Sequence, residues 1–172
     1  MTNFRLIRTI AHTCIIFLAC INVSQAQTTE PRLTGGNSLA YFIPKGDFAT
    51  TYNHGFGFYG HVDYKLINLL SLRADVGWAN ISGNETEYVD TDGVIQTNHP
   101  HITVWEITGG ARINLSVFYL EGRAGYFSGL NSFGYVPAVG LRLGKLDIQG
   151  NWAFVGDDQF IGIRAGYYWS EN

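Results

Sequence analysis

From residue 38 onward, apolar and polar positions alternate with a period of two rather than 3.6, the signature of strands with one greasy face. The clearest run spans Gly55 to Leu66: Phe56, Phe58, Val62, Tyr64 and Leu66 share one face, and Tyr59, His61, Asp63 and Lys65 the other. After Ile67-Asn68-Leu69 the pattern resumes, with Leu70, Leu72, Ala74, Val76 and Trp78 opposing Ser71, Arg73, Asp75 and Gly77. Similar runs at 102–114, 117–127, 133–143, 146–154 and 160–169, and a shorter one at 38–44, predict eight strands. Tight turns are expected near Asn68, Leu115-Ser116 and Gly144-Lys145, and longer loops at 45–54, 80–101, 128–132 and 155–159. Short and long connections thus alternate. That rhythm belongs to an all-β, closed, up-and-down antiparallel eight-stranded barrel, in which an even strand count lets the last strand pair with the first and removes both edges.

The segment before the strands reads differently. Arg5 and Arg8 precede an apolar stretch from Ile10 to Val23 that ends at Ser24-Gln25-Ala26, the layout of a cleaved secretory signal peptide over 1–26. Phe17-Leu18-Ala19-Cys20 is an alternative lipoprotein box, but the residue three before the cysteine is Phe rather than a smaller aliphatic. A short N-terminal segment, 27–37, is expected to lead into the barrel domain at 38–169, with a polar tail at 170–172. Both cysteines, Cys14 and Cys20, fall in the leader, so no disulfide is expected in the barrel. The whole chain has 11 Lys+Arg against 14 Asp+Glu, and loss of Arg5 and Arg8 makes it more acidic. With no basic cluster, nucleic acid is excluded as a partner.

Two closed eight-stranded architectures share this alternation with opposite polarity. A soluble ligand-binding barrel would turn Phe56, Phe58, Leu72 and Val76 inward; a membrane barrel turns them to lipid. The polar faces carry Lys65, Arg73, Arg112, Arg123, Arg142 and Arg164 against Asp63, Asp75, Glu106, Glu121 and Asp147. A near-balanced, Arg-rich set suits a narrow lumen in which charges must pair and the planar guanidinium engages two carboxylates. These residues are expected to form a structural ion network, with Gly57, Gly77, Gly110, Gly125, Gly140, Gly162 and Gly166 making room for it. On the apolar face, Trp78, Trp105, Tyr126, Tyr135, Trp152 and Phe154 reach the loop-side end, and Tyr64, Phe118 and Trp169 the turn-side end. Two aromatic rims with aliphatic residues between them form the girdles of a transmembrane barrel. A mean hydropathy of +0.02 is then the average of a barrel turned inside out.

The motifs Phe42-Ile43-Pro44-Lys45-Gly46-Asp47 and Arg164-Ala165-Gly166-Tyr167-Tyr168-Trp169 complete a likeness over 36–169. The chain resembles the small eight-stranded outer-membrane barrels of the OmpA-transmembrane-domain and OmpX type. The resemblance implies the outer membrane of a diderm bacterium, lipid and the barrel-insertion machinery as partners, and a monomer. It also implies a structural or surface-interaction role through the loops. The second motif is similar to the C-terminal strand signal that the insertion machinery reads, although Ser170-Glu171-Asn172 follow the aromatic on which family members commonly end. No peptidoglycan-binding domain is expected after the barrel.

Chemistry is sparse. His54 and His61 lack a neighbouring nucleophile or carboxylate set in sequence, and His61 is expected to hydrogen-bond lumen carboxylates. Loop 80–101 holds Glu85, Glu87, Asp90 and Asp92 before Gly93, then His99-Pro100-His101, and Asn84-Glu85-Thr86 matches a glycosylation sequon. A solvated acidic loop is the expectation, with no metal, no cofactor and no catalytic residue. A small pore and a lipid-modifying enzyme are the alternative functions.

Overall fold

The computed structural model describes residues 33–89, 95–98 and 100–169. The expected leader with Cys14 and Cys20, the start of the N-terminal segment, Asp90, Asp92, Gly93, His99 and the tail 170–172 lie outside them.

Eight long strands close into one antiparallel barrel: β1 (Leu33–Lys45), β2 (Tyr52–Ile67), β3 (Leu70–Gly83), β6 (His101–Leu115), β7 (Phe118–Phe127), β8 (Ser132–Leu143), β9 (Leu146–Val155) and β10 (Asp158–Tyr168). Each pairs with its neighbours in chain order, and β10 pairs with β1 from Gly36↔Tyr168 to Lys45↔Gln159, so none of the eight is an edge. Between β3 and β6 the chain makes a separate two-stranded sheet, β4 (Thr86–Val89) with β5 (Ile95–Asn98).

The register fixes the tilt. Following paired residues once around from Gly35 through Val62, Ala74, Gly109, Ala124, Tyr135, Phe154 and Gln159 returns to β1 at Lys45, ten residues further along. Such a stagger inclines the strands by about 40° and leaves an interior just wide enough for side chains.

The strands differ from the sequence expectation at both ends. β1 starts at Leu33 rather than 38, because Leu33–Asn37 pair with Gly60–Tyr64 of β2. The expected long loop at 155–159 is only Gly156-Asp157, since Asp158 and Gln159 continue the ladder opposite Val155 and Phe154. Gly156 takes the left-handed conformation that so tight a reversal requires (φ 58°). The alternation of short and long connections therefore fails at this one place. Loop 80–101 contains strands as well as coil, and Asn84, the asparagine of the sequon, is engaged as an anchor. Its side-chain amide donates to the carbonyls of Ala49 (3.2 Å) and Thr50 (3.0 Å), tying the longest loop to the first.

Alternation resolves with the apolar face outward. Phe56 is 61% exposed and Val76 54%, while their inward neighbours Gly57 and Asp75 are buried. The soluble-barrel arrangement is excluded, because Phe56, Phe58, Leu72 and Val76 all point away from the lumen.

Candidate functional site

Period-two geometry sends the even or odd set of each strand into the lumen, and the tilt brings together charges distant in sequence. Asp63 on β2, Arg73 and Asp75 on β3, Glu106 and Arg112 on β6, Glu121 and Arg123 on β7, Asp147 on β9 and Arg164 on β10 are all buried inside. Asp75 is the crossroads: Arg73 Nε donates to its Oδ2 at 2.8 Å, Arg164 Nη1 to its Oδ1 at 3.1 Å, and Arg123 Nη1 lies 3.4 Å from Oδ2. Glu121 plays the same part on the other wall, with Arg112 Nε at 2.8 Å, Arg123 Nε at 2.8 Å and the Gln149 amide at 2.9 Å. Arg164 also forks onto both oxygens of Glu106 at 3.2 Å. Desolvating this many charges is offset only because each guanidinium meets at least two carboxylates or a carboxylate and a phenol.

Tyrosines complete the network beyond the charged residues expected from the sequence. Tyr168 donates to Asp63 Oδ2 at 2.5 Å and accepts from Arg112 Nη1 (2.7 Å) and Arg73 Nη1 (3.1 Å). The Arg164 guanidinium lies 3.7 Å from the Tyr59 ring centre and that of Arg112 3.8 Å from Tyr119. The available signal was parity: Tyr59 is in step with Asp63, Tyr119 with Glu121 and Tyr168 with Arg164.

Three expected site residues behave differently from the rest. Lys65 and Arg142 stand half-buried at the turn-side mouth, and Arg142 covers the Tyr168 ring at 3.8 Å. They frame the network's lower end, because the strands finish there and the lumen opens. His61 is in the lumen as expected but does not hydrogen-bond a carboxylate. Its ring meets Tyr168 edge-on at 4.7 Å, and neither nitrogen has a hydrogen-bond partner. The carboxylates around it are already held by arginines.

The loop-side third of the lumen is mainly apolar. Phe42, Ile81, Val104, Phe127, Val155 and Phe160 pack into a buried apolar core, and Phe48, on the one-turn helix Phe48–Thr51, closes it from above. Phe160 is its centre, edge-on to Phe42 at 5.5 Å and 6.3 Å from Phe127. The expected ion network therefore fills the turn-side and middle parts of the lumen, and an apolar core fills the loop side. These residues alternate correctly, but apolar residues on both faces of a strand end give no signal of which side is in.

On the outer surface the nine expected girdle aromatics all face away from the lumen. Trp78 and Trp105 are direct cross-strand partners, and Phe154, half-buried, stacks between Tyr135 (4.7 Å) and Trp152 (5.2 Å). Tyr41, Phe56 and Phe133 extend the loop-side rim, and Tyr167 joins Tyr64, Phe118 and Trp169 on the other side. Among the described residues no cluster of His, Cys, Asp and Glu stands close enough to hold a metal ion.

No protein-family model matches the chain. No curated protein matches its sequence either. Among solved structures it is similar to a de novo designed transmembrane β-barrel, at 15% identity and a TM-score of 0.53, covering 84% of this chain and 100% of the designed one. It is also similar to Ail, the attachment invasion locus protein of Yersinia pestis, in its complex with the heparin analogue sucrose octasulfate, at 16% identity and a TM-score of 0.50, covering 80% and 97% of the two chains. Outward greasy band, inward ion network, closed register and these likenesses agree: the chain is a closed eight-stranded antiparallel transmembrane β-barrel.

Proposed function

We propose that this protein is an outer-membrane barrel of the OmpA-transmembrane-domain and OmpX type, exported by a cleaved leader and assembled by the insertion machinery. Its filled lumen serves as a rigid mount for surface loops. The observation that carries the reading is the double seal of the interior: an ion network over the turn-side and middle thirds and an apolar core over the loop side. A barrel so filled offers no water path, which argues against the pore. His61 has no hydrogen bond to a carboxylate or hydroxyl that would orient it as a general base, which argues against the lipid-modifying enzyme.

The interaction role falls to the loop side, where β4 and β5 make a sheet outside the barrel wall. The polyanion in the Ail complex is not carried over to this chain. Its loop side exposes Asp47, Glu85 and Asp157, with Lys45 as an exposed cation nearby, so a cationic or neutral partner suits it better. Membrane fractionation with detergent gel mobility tests the reading. The protein should stay with outer membranes and migrate differently before and after heating. Recovery in the soluble periplasmic fraction without a mobility shift would sink it.

A further inference from the structure

Three backbones meet at the foot of the β4–β5 sheet. The chain leaves the barrel wall at Gly83 and returns at Pro100, where the Gly83 N–H donates to the Pro100 carbonyl at 2.5 Å. Only glycine fits there: a Cβ would collide with Pro100 and come within 3.0 Å of the Thr51 carbonyl oxygen, which belongs to the first loop. The next residue, Asn84, turns all three of its N–H groups onto that loop, the side-chain amide to Ala49 and Thr50 and the backbone N–H to Thr51 at 2.8 Å. Those carbonyls are the C-terminal end of the helix Phe48–Thr51, which at four residues cannot satisfy them itself. So short a helix does not hold by propensity. It is held by Asn84 from outside and by Phe48 from below, whose ring packs 4.7 Å from Tyr52 and 6.4 Å from Phe160 in the loop-side core.

We propose that Asn84 and Phe48 form a strap that fixes the β4–β5 sheet and the first loop to the barrel as one rigid surface unit. Asn84 is the latch between the two loops, and Phe48 is the peg in the barrel mouth. The latch is the weaker part, because its side-chain hydrogen bonds are exposed to water and each contributes little net, whereas the peg is buried among aromatic rings. A partner that displaces the β4–β5 sheet therefore opens the latch first. The first loop is then held through Phe48 alone, and the order of the surface changes while the ion network beneath stays as it is. Local opening of this kind is confined to the loop side, where few backbone hydrogen bonds must break.

Amide hydrogen exchange on the full chain in phosphatidylcholine vesicles tests the strap. Asn84→Ala should speed exchange over residues 46–53 about tenfold, while the strand interiors and the heat-dependent gel mobility keep their wild-type behaviour. Phe48→Ala, which leaves the latch in place, should speed exchange over the same residues. With Cys14 and Cys20 replaced by Ser, spin labels at Glu85→Cys and at Asp157→Cys, on the tight turn of the barrel rim, should report a narrow distance distribution. Adding Asn84→Ala should broaden it. The proposal is overturned if Asn84→Ala leaves either the exchange or the label distances unchanged. It is equally overturned if Phe48→Ala leaves residues 46–53 fully protected, or if Asn84→Ala speeds exchange as much through the strands as in the loops.

Discussion

The phenol of Tyr168 on β10 donates to Oδ2 of Asp63 on β2 at 2.5 Å, reaching across the first strand that lies between them. The span is open because β1 turns only the small residues Thr34, Gly36 and Ser38 into the lumen beneath the bond. The same oxygen of Tyr168 accepts from Arg73 and Arg112, so the last strand is pinned to β2, β3 and β6 through one atom.

Tyr168→Phe removes that atom while keeping the ring against His61 and Arg142. It leaves Asp63 and two guanidiniums short of a partner, and the expected cost is about 1–3 kcal/mol. Urea unfolding in vesicles, followed by gel mobility, measures it. Wild-type stability would show that the latch is passive.

Arg164→Leu should cost more, roughly 3–5 kcal/mol, because Asp75 and Glu106 each lose a partner in a dry interior. Adding Glu106→Gln to Arg164→Leu should recover part of the loss. Strict additivity of the two single changes in the same unfolding assay would contradict a shared network.

Arg placed at Val76 or Ala124 faces lipid near mid-span and should destabilise the inserted barrel by roughly 2–4 kcal/mol. Asp157→Lys, at the exposed turn, should be within about 0.5 kcal/mol of wild type. Comparing the three by reversible unfolding in bilayers checks the sidedness. Equal tolerance at all three positions would refute it.

Phe127→Ala opens a void in the loop-side core and should cost about 3–5 kcal/mol without producing a pore, because the ion network below remains closed. Planar-bilayer recordings should show no conductance steps for either protein. Steps in the wild type would overturn the sealed-lumen reading.

Gly77→Ala probes the space that glycines clear. A Cβ at this position collides with the Tyr59 ring, which in turn supports Arg164. The expected penalty is about 1–3 kcal/mol, and a neutral result in the unfolding assay would mean that the ring can move without disturbing the arginine.

Strand count, the tight turns and the charged set from Asp63 to Arg164 were legible from spacing, because each depends on neighbours two residues apart. The loop at 155–159 was misread because Gly and Asp mark a turn equally well whether it holds two residues or five. His61 was assigned carboxylate partners from its surroundings, but acceptors in a network are finite and the arginines occupy them. Tyr168 read as one more aromatic of the C-terminal strand. Its role depends on a residue 105 positions away.

Alternation by itself determined that this chain makes strands with two unlike faces, eight of them, and that charge and grease are never mixed on one face at mid-strand. It could not determine which face is inside, since a period of two is unchanged when the sheet is turned over. Closure decided that, together with the ten-residue stagger that sets which side chains meet across the lumen. The apolar core at the loop side and the Tyr168 latch both follow from that stagger. Neither is a property of any one strand.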